Sequence, residues 1–311
     1  MRAFALDAFG EPGSIHELPE PEPADGQVRV RVAAASLNPF DNVVLQGYLK
    51  DKMEHRFPLI PAGDFSGAVD ALGSGVQGFS VGDPVFGVTG KMFFGEGTLA
   101  EKTTASAGTI AKRPRSMSDV DAAALPLAGV SALMCVEAAV PKPKDVVVVV
   151  GASGGIGSYA VQIAKVRGAH VIGVTHTANI DYVKGLGADE VVDRTAGDVA
   201  EAIKSKHSEG VASIIDTGSD AASLAALSEA VRKGGTVISM KGAAAPDELA
   251  KRGLKGVNIQ TQVNTERLET LAKLSADGKL KAPRIHKFPL VKAGEAFKLL
   301  GQTDGKIVVT I

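Results

Sequence analysis

The chain has 311 residues, enough for two domains of ordinary size. Lys and Arg number 34 against 35 Asp and Glu, which leaves no electrostatic footprint for nucleic acid or an anionic membrane surface. No apolar run approaches the roughly 18 residues of a membrane span, and the N-terminus lacks a signal-peptide pattern. The single cysteine, Cys135, excludes an internal disulfide and any cysteine-rich metal set, so a globular, cytoplasmic protein is expected.

From residue 1 to about 118 the sequence predicts short strands separated by Gly and Pro turns: 1–6, 27–34, 67–72 and 84–88, with turns at Gly73-Ser74-Gly75 and Gly82-Asp83-Pro84. After the basic stretch Lys112-Arg113-Pro114-Arg115 the pattern changes, and helical periodicity runs over 119–139. Cys135 falls on the apolar face of that helix and reads as a small core residue. Strands near 146–150, 170–174, 190–192, 212–216 and 235–240 then alternate with helices, as a doubly wound sheet requires. The last of these is entered through a tight turn at Gly234-Gly235. A helix over 265–276, a segment at 284–290, a helix at 292–300 and a strand at 306–311 return to the first region. The expected architecture is α/β: a discontinuous β-rich domain (1–120 and 263–311) carrying an inserted doubly wound parallel-sheet domain (121–262).

One segment carries most of the chemistry. Val146 to Val150 is a wholly apolar β-branched run, as expected of a strand covered on both faces of a parallel sheet. It leads into Gly151-Ala152-Ser153-Gly154-Gly155-Ile156-Gly157 and then a helical pattern. Ala152-x-Gly154-x-x-Gly157 is the dinucleotide fingerprint with alanine in the first glycine place. The turn brings backbone N–H groups and a helix N-terminus to a pyrophosphate.

Together with Phe9-Gly10, Leu37-Asn38-Pro39-Phe40-Asp41, Pro61-Ala62-Gly63-Asp64-Phe65-Ser66-Gly67, Val81-Gly82-Asp83, Leu125-Pro126-Leu127-Ala128-Gly129 and Gly305-Lys306-Ile307-Val308-Val309, that turn resembles the medium-chain dehydrogenase/reductase superfamily. The similarity is to its zinc-free quinone oxidoreductase branch, the zeta-crystallin-like proteins. It implies a GroES-like catalytic domain, a Rossmann domain and a homodimer. Zinc-dependent relatives present an early cysteine, a Gly-His-Glu turn and a four-cysteine lobe. Here Asn38 stands at the first place, Gly63-Asp64-Phe65 at the second, and the lobe has no cysteine. The histidines at 16, 55, 170, 176, 207 and 286 show no ligand-pair spacing, so no metal is expected.

Without a Lewis acid to hold a localised alkoxide, the favoured acceptor is one that delocalises the incoming charge, a quinone or conjugated enone. The resemblance places Asn38 beside nicotinamide and substrate, where its amide donates to the acceptor carbonyl. It makes Asp41 an orienting group and Tyr48, next to Gln46-Gly47, a proton donor. On local chemistry alone, Asn38 and Asp41 are caps and Tyr48 is a half-buried packing residue. The same resemblance puts Ser131 on the nicotinamide side at the head of a helix; a serine bonded to its own helix backbone is the alternative. The segment 47–61 and Phe93-Phe94 are candidates for shaping the substrate slot, with a solvated loop and core packing as the alternatives.

NAD-binding sequences carry an acid about 20 residues beyond the glycine turn. Here the second strand ends in Thr175-His176-Thr177, so NADPH is expected over NADH, with Thr175, His176 and Arg194 as polar or cationic contacts. Gly218 and Gly242 follow the C-terminal ends of predicted strands and admit close backbone approach. An enoyl-thioester reductase and a non-catalytic NADPH-binding sensor or structural protein remain as alternative readings.

Overall fold

The computed structural model describes residues 1–311, which divide into two compact units. The first comprises Met1–Leu127, Val263–Gly278 and Arg284–Ile311; the second comprises Ala128–Gln262 and Lys279–Pro283. The passage into the second unit comes at Leu127/Ala128 instead of 120/121, because the short helix Asp119–Ala123 packs on strands of the first unit and shares its alanines with an apolar cluster that includes Ala34 and Val308.

The first unit is built on a seven-stranded sheet. Its main path runs Ile285–Pro289, Lys306–Thr310, Gln27–Leu37, Asp64–Leu72, Pro84–Val88 and Ile110–Lys112, with Lys102–Ser106 also paired to Gln27–Leu37. The eleven-residue strand Gln27–Leu37 is the spine. Val28, Val30 and Val32 alternate inward from it into a core with Phe65, Val69, Leu99 and Ile110. The C-terminal strand lies antiparallel to the same spine, pairing Ile307 with Leu37 and Val308 with Ser36. This return of the chain end sets Lys306 beside Asn38.

The second unit holds a six-stranded parallel sheet in the order Glu190–Asp193, His170–Thr175, Val146–Val150, Val211–Asp216, Val231–Ser239, Lys255–Asn258. Numbered within this sheet, the order is 3-2-1-4-5-6, the Rossmann arrangement, with the switch point at the end of Val146–Val150. Val147, Val148 and Val149 are fully buried, as a strand covered on both faces must be.

Three sequence expectations need correction. The helix predicted over 119–139 is two helices, Asp119–Ala123 and Pro126–Ala139, since proline cannot continue the first and restricts Leu125 before it. Gly234-Gly235 lies inside the strand Val231–Ser239, where a register irregularity absorbs it. The sixth strand, Lys255–Asn258, was not anticipated; four exposed or half-exposed residues with a central glycine give no strand signature.

Candidate active site

In the first unit, Asn38 ends the spine strand and is the N-cap of the helix Pro39–Leu45, which starts with proline at its first position. Asp41 is the third residue of that helix, and its carboxylate accepts the Asn38 backbone N–H at 2.7 Å. The Asn38 side chain is clamped at both ends. Its Nδ2 donates to Asp64 Oδ2 at 2.9 Å, and its Oδ1 accepts from Lys306 Nζ at 2.6 Å. An ammonium only donates and an ionised carboxylate only accepts, so the amide has one orientation. One Nδ2–H remains beyond the bond to Asp64.

Lys306 Nζ also donates to Leu37 O at 3.0 Å and lies 3.8 Å from Asp64 Oδ2. Asp64 is held further by the Leu127 N–H at 3.3 Å, while Thr98 Oγ1 donates to the Asp64 backbone carbonyl. Asp41, Asp64 and Lys306 are all buried. Burial raises the Asp64 pKa and lowers that of Lys306, each opposed by the attraction between them. Three oxygens converge on Nζ, which is the environment of a retained ammonium. Neither Asp64 nor Lys306 was singled out as a functional side chain in the sequence, although both lie in motifs that carry the resemblance.

Burial raises the Asp41 pKa from 3.8 to about 7, beyond what the bond from Asn38 and the charge of Lys306 offset. A carboxyl group whose pKa is raised on folding binds more protons in the native state between the two values. Its contribution to stability is therefore full below about pH 4 and lost as pH rises toward 7. Asp41→Asn keeps an acceptor for the Asn38 N–H and removes the titration. We expect urea midpoints measured from pH 4 to 8 to show a flatter profile for Asp41→Asn than for wild type, with the gain at the upper end.

Beside this cluster runs a file of rings. Phe40 and Phe94 have centroids 5.9 Å apart, Phe94 and His55 5.2 Å, His55 and Phe9 4.9 Å, and Phe9 and Phe57 5.0 Å. His55 Nδ1 bonds Met53 O at 2.8 Å, leaving Nε2 buried among rings without a partner. Phe40, the residue between Pro39 and Asp41, is 47% exposed and gives this wall an open apolar face. Tyr48 is 73% exposed, which corrects the half-buried packing reading: the left-handed Gly47 turns the chain so that Phe9 packs under Gly47 and the tyrosine points out.

In the second unit the glycine turn joins Val146–Val150 to the helix Gly155–Val166. Gly154 is the N-cap and no side chain caps the helix. A Cβ at Gly154 would meet only Gly151 O, at 3.3 Å, so its outer side is open. A Cβ at Gly157 would fall 2.1 Å from the same oxygen, so only glycine lets the helix lie on the turn. Ala152 is buried, and Ser153 Oγ accepts from Thr175 Oγ1 at 3.0 Å, which ties the turn to the second strand. Gly155 and Ile156 begin the helix, with N–H groups directed out of its first turn. An open, uncapped turn of this kind could hold a pyrophosphate.

Thr175 is buried and His176 exposed. The Arg194 backbone N–H bonds Thr175 O at 2.9 Å, and the residue lines a cavity of about 230 Å³ with Val150, Val174 and Ser219 at the C-terminal edge of the sheet. Asp193, which sequence reading passed over, pairs in register with Thr175; the Thr177 and Thr195 hydroxyls hold its pKa below the usual carboxylate range. Gly218 and Gly242 both have open space where a Cβ would stand, and Gly242 is left-handed. Ser131 is not at a helix head: it lies in the second turn of Pro126–Ala139, buried, with its hydroxyl 2.7 Å from that of Thr261. Cys135 is a core residue whose thiol burial pushes up to about 12.

Comparison with known proteins agrees with this architecture. The alcohol dehydrogenase GroES-like domain family matches residues 24–115, and the zinc-binding dehydrogenase family matches 155–276. A chloroplastic quinone-oxidoreductase, QR1, of Triphysaria versicolor is 34% identical over 99% of this chain and 98% of its own length. An NADPH-dependent alkenal/one oxidoreductase of Arabidopsis thaliana, also chloroplastic, is 31% identical over 93% of this chain and 73% of its own. The solved quinone oxidoreductase of Coxiella burnetii superposes with a TM-score of 0.88 at 30% identity, covering 100% of this chain and 99% of that one. The chain therefore belongs to the medium-chain dehydrogenase/reductase superfamily. Within it, the chain falls in the quinone oxidoreductase-like branch.

Proposed function

We propose that this protein is a zinc-independent, NADPH-dependent oxidoreductase that delivers hydride to a quinone or conjugated enone. The observation that carries the reading is the clamped Asn38 amide. The two places where zinc relatives carry ligands hold Asn38 and Asp64, and the ammonium of Lys306 lies 2.6 Å from one and 3.8 Å from the other. A site that already contains a buried cation, with an amide oxygen engaged by it, does not fit a second, divalent one.

A bound reduced nicotinamide supplies the hydride. The chain's own part is to hold the acceptor and manage charge. Asn38 donates its remaining Nδ2–H to the acceptor carbonyl oxygen, where negative charge grows as hydride arrives at the conjugated carbon. Because Lys306 and Asp64 fix the amide beforehand, no reorganisation is needed during the reaction. The ring file from Phe40 to Phe57, its members tilted or edge-on to one another, offers an apolar wall to the acceptor body, with Phe40 its exposed ring. An enone then takes hydride at the β-carbon and a proton at the α-carbon; a quinone takes hydride and a proton to give the hydroquinone. The exposed hydroxyl of Tyr48 is assigned as the donor of that proton. Tyr48→Phe should lower kcat for an enone about 10- to 100-fold, at the modest end of general-acid effects because water competes. Unchanged turnover would remove Tyr48 from the mechanism.

The glycine turn, Ala152 to Gly157, would hold the pyrophosphate, with Gly218 and Gly242 along the same sheet edge. No acid ends the second strand, and Arg194 and His176 supply positive or polar groups for a 2′-phosphate. Asp193 is adjacent: both its oxygens accept from threonine hydroxyls, which occupies lone pairs a ribose diol would use, while its charge stands against a 2′-phosphate and leaves Arg194 to offset it. Arg194→Ala should raise the KM for NADPH at least 10-fold and leave that for NADH within a factor of two, a difference that equal effects on both nucleotides would contradict. The outer side of the edge strand Lys255–Asn258 is where a second copy would extend the sheet into a homodimer.

The direct test is a substrate panel. With NADPH, 1,4-benzoquinone and a short alkenone should be reduced, and with NADP⁺ simple alcohols should not be oxidised. Acyl-thioester reduction with neither quinone nor enone turnover would favour the enoyl-thioester reductase instead.

A further inference from the structure

At the N-terminal edge of the parallel sheet, the end opposite the glycine turn, His170, Glu190 and His207 converge. His170 opens the second strand, Glu190 opens the third, and His207 terminates the helix Val199–Lys206. His170 Nε2 lies 2.8 Å and His207 Nε2 2.9 Å from the same atom, Glu190 Oε1, and one ligand atom from each of the three residues falls within 4.8 Å of the others. We propose that these three side chains form a binding site for a borderline divalent transition metal, of which zinc is the probe used here.

Four observations carry the proposal. Two imidazoles and one carboxylate are the donor set that zinc, nickel and copper prefer, and three protein ligands leave a further coordination position for water. Asp189 Oδ2 stands 3.9 Å behind His170 Nδ1, and is itself fixed by the Val171 N–H at 2.7 Å and by Lys165 at 2.7 Å. At that distance the carboxylate is a neighbour of the imidazole and not its hydrogen-bond partner, a negative charge standing behind a ligand histidine. His170 Nε2 and His207 Nε2 meet the same carboxylate oxygen, so all three ligand groups already face one point. Finally, a cavity of about 460 Å³ opens beside the cluster, lined by His170, His207, Asp189, Lys144 and Lys165, and gives the ion an entry path and room for its water.

The site faces both signs of charge. Lys206 Nζ approaches Glu190 Oε2 at 3.4 Å and Lys165 is held by Asp189, so Glu190 and Asp189 balance the nearby lysines and the ion adds charge where two carboxylates already stand. Because the ligands come from two strands and a helix end, an ion would tie those elements together and stabilise the second unit.

Calorimetric titration of the chelator-treated full chain with zinc chloride at pH 7.5 should give one site per chain. His207→Ala and Glu190→Gln should each weaken it at least 10-fold, whereas His16→Ala should leave it unchanged. Zinc should raise the melting temperature of wild type and of His16→Ala but not of the other two variants, with circular dichroism confirming that all are folded. No heat of binding by wild type would overturn the proposal. Retention of full affinity by either His207→Ala or Glu190→Gln would overturn it as well, and leave Glu190 as a hydrogen-bonding partner of two imidazoles only. The assay reads binding and melting alone, so its outcome is independent of any reductase activity.

Discussion

Lys306→Met is expected to reduce kcat for quinone and enone reduction about 100-fold while leaving nucleotide affinity within a factor of two. The substitution keeps most of the side-chain volume but removes the donor that holds Asn38 Oδ1 at 2.6 Å. Without it the amide is free to flip and its remaining N–H no longer has a fixed aim, a loss in the range measured for misdirected oxyanion donors. The same change leaves Asp64 buried without its cation. Breaking a buried pair in this way destabilises by about 3–5 kcal/mol, which could unfold the variant before it is assayed. The double variant Asp64→Asn/Lys306→Met removes both charges and should recover most of that stability without recovering turnover. A folded Lys306→Met with wild-type kcat would show that the lysine has no part in aiming the amide.

Asn38→Ala is expected to lower kcat/KM about 10²- to 10³-fold, with the loss mainly in kcat. The carboxamide is the group assigned to the acceptor oxygen, and alanine cannot replace it. Because the alanine side chain also leaves Lys306 Nζ and Asp64 each short of a partner, stability should fall by about 1–3 kcal/mol. The split between kcat and KM separates the two effects: a purely structural loss would lower the active fraction of protein equally for every substrate. A donor to the carbonyl should matter more for enones, whose enolate carries more localised charge, than for quinones. Equal losses for both acceptors would argue against direct contact with the oxygen.

The parts of this molecule written locally were legible in the sequence. A run of five valines followed by a glycine turn announces its own strand, helix and ligand edge, because both the twofold apolar pattern and the need for glycine at 154 and 157 act within a few residues. The break at Pro126 was equally local, yet periodicity over 119–139 masked it: the dipeptide Leu125-Pro126 is a signal for two helices where one was expected. What could not be read were groups assembled by pairing. Lys306 looks like the polar start of a final strand until the antiparallel register with the spine sets it beside Leu37 and Asn38. The clue was a lysine heading an otherwise apolar run, Ile307-Val308-Val309, in a strand that the sequence already sent back to the first domain. His170, Glu190 and His207 likewise show no ligand spacing, since neighbouring parallel strands and the helix that follows them bring together residues far apart in the chain.

On the proposed reading, a fixed ammonium and the amide it aims do the work that zinc does in related dehydrogenases. That reading is tested most directly by assaying protein treated with a strong chelator, with metal content determined alongside NADPH-dependent reduction of 1,4-benzoquinone and an alkenone. Turnover should be undiminished at less than about one-twentieth of an equivalent of zinc per chain. Activity that disappears with the metal and returns on adding one equivalent of zinc, in the His207→Ala variant as well as in wild type, would contradict that reading.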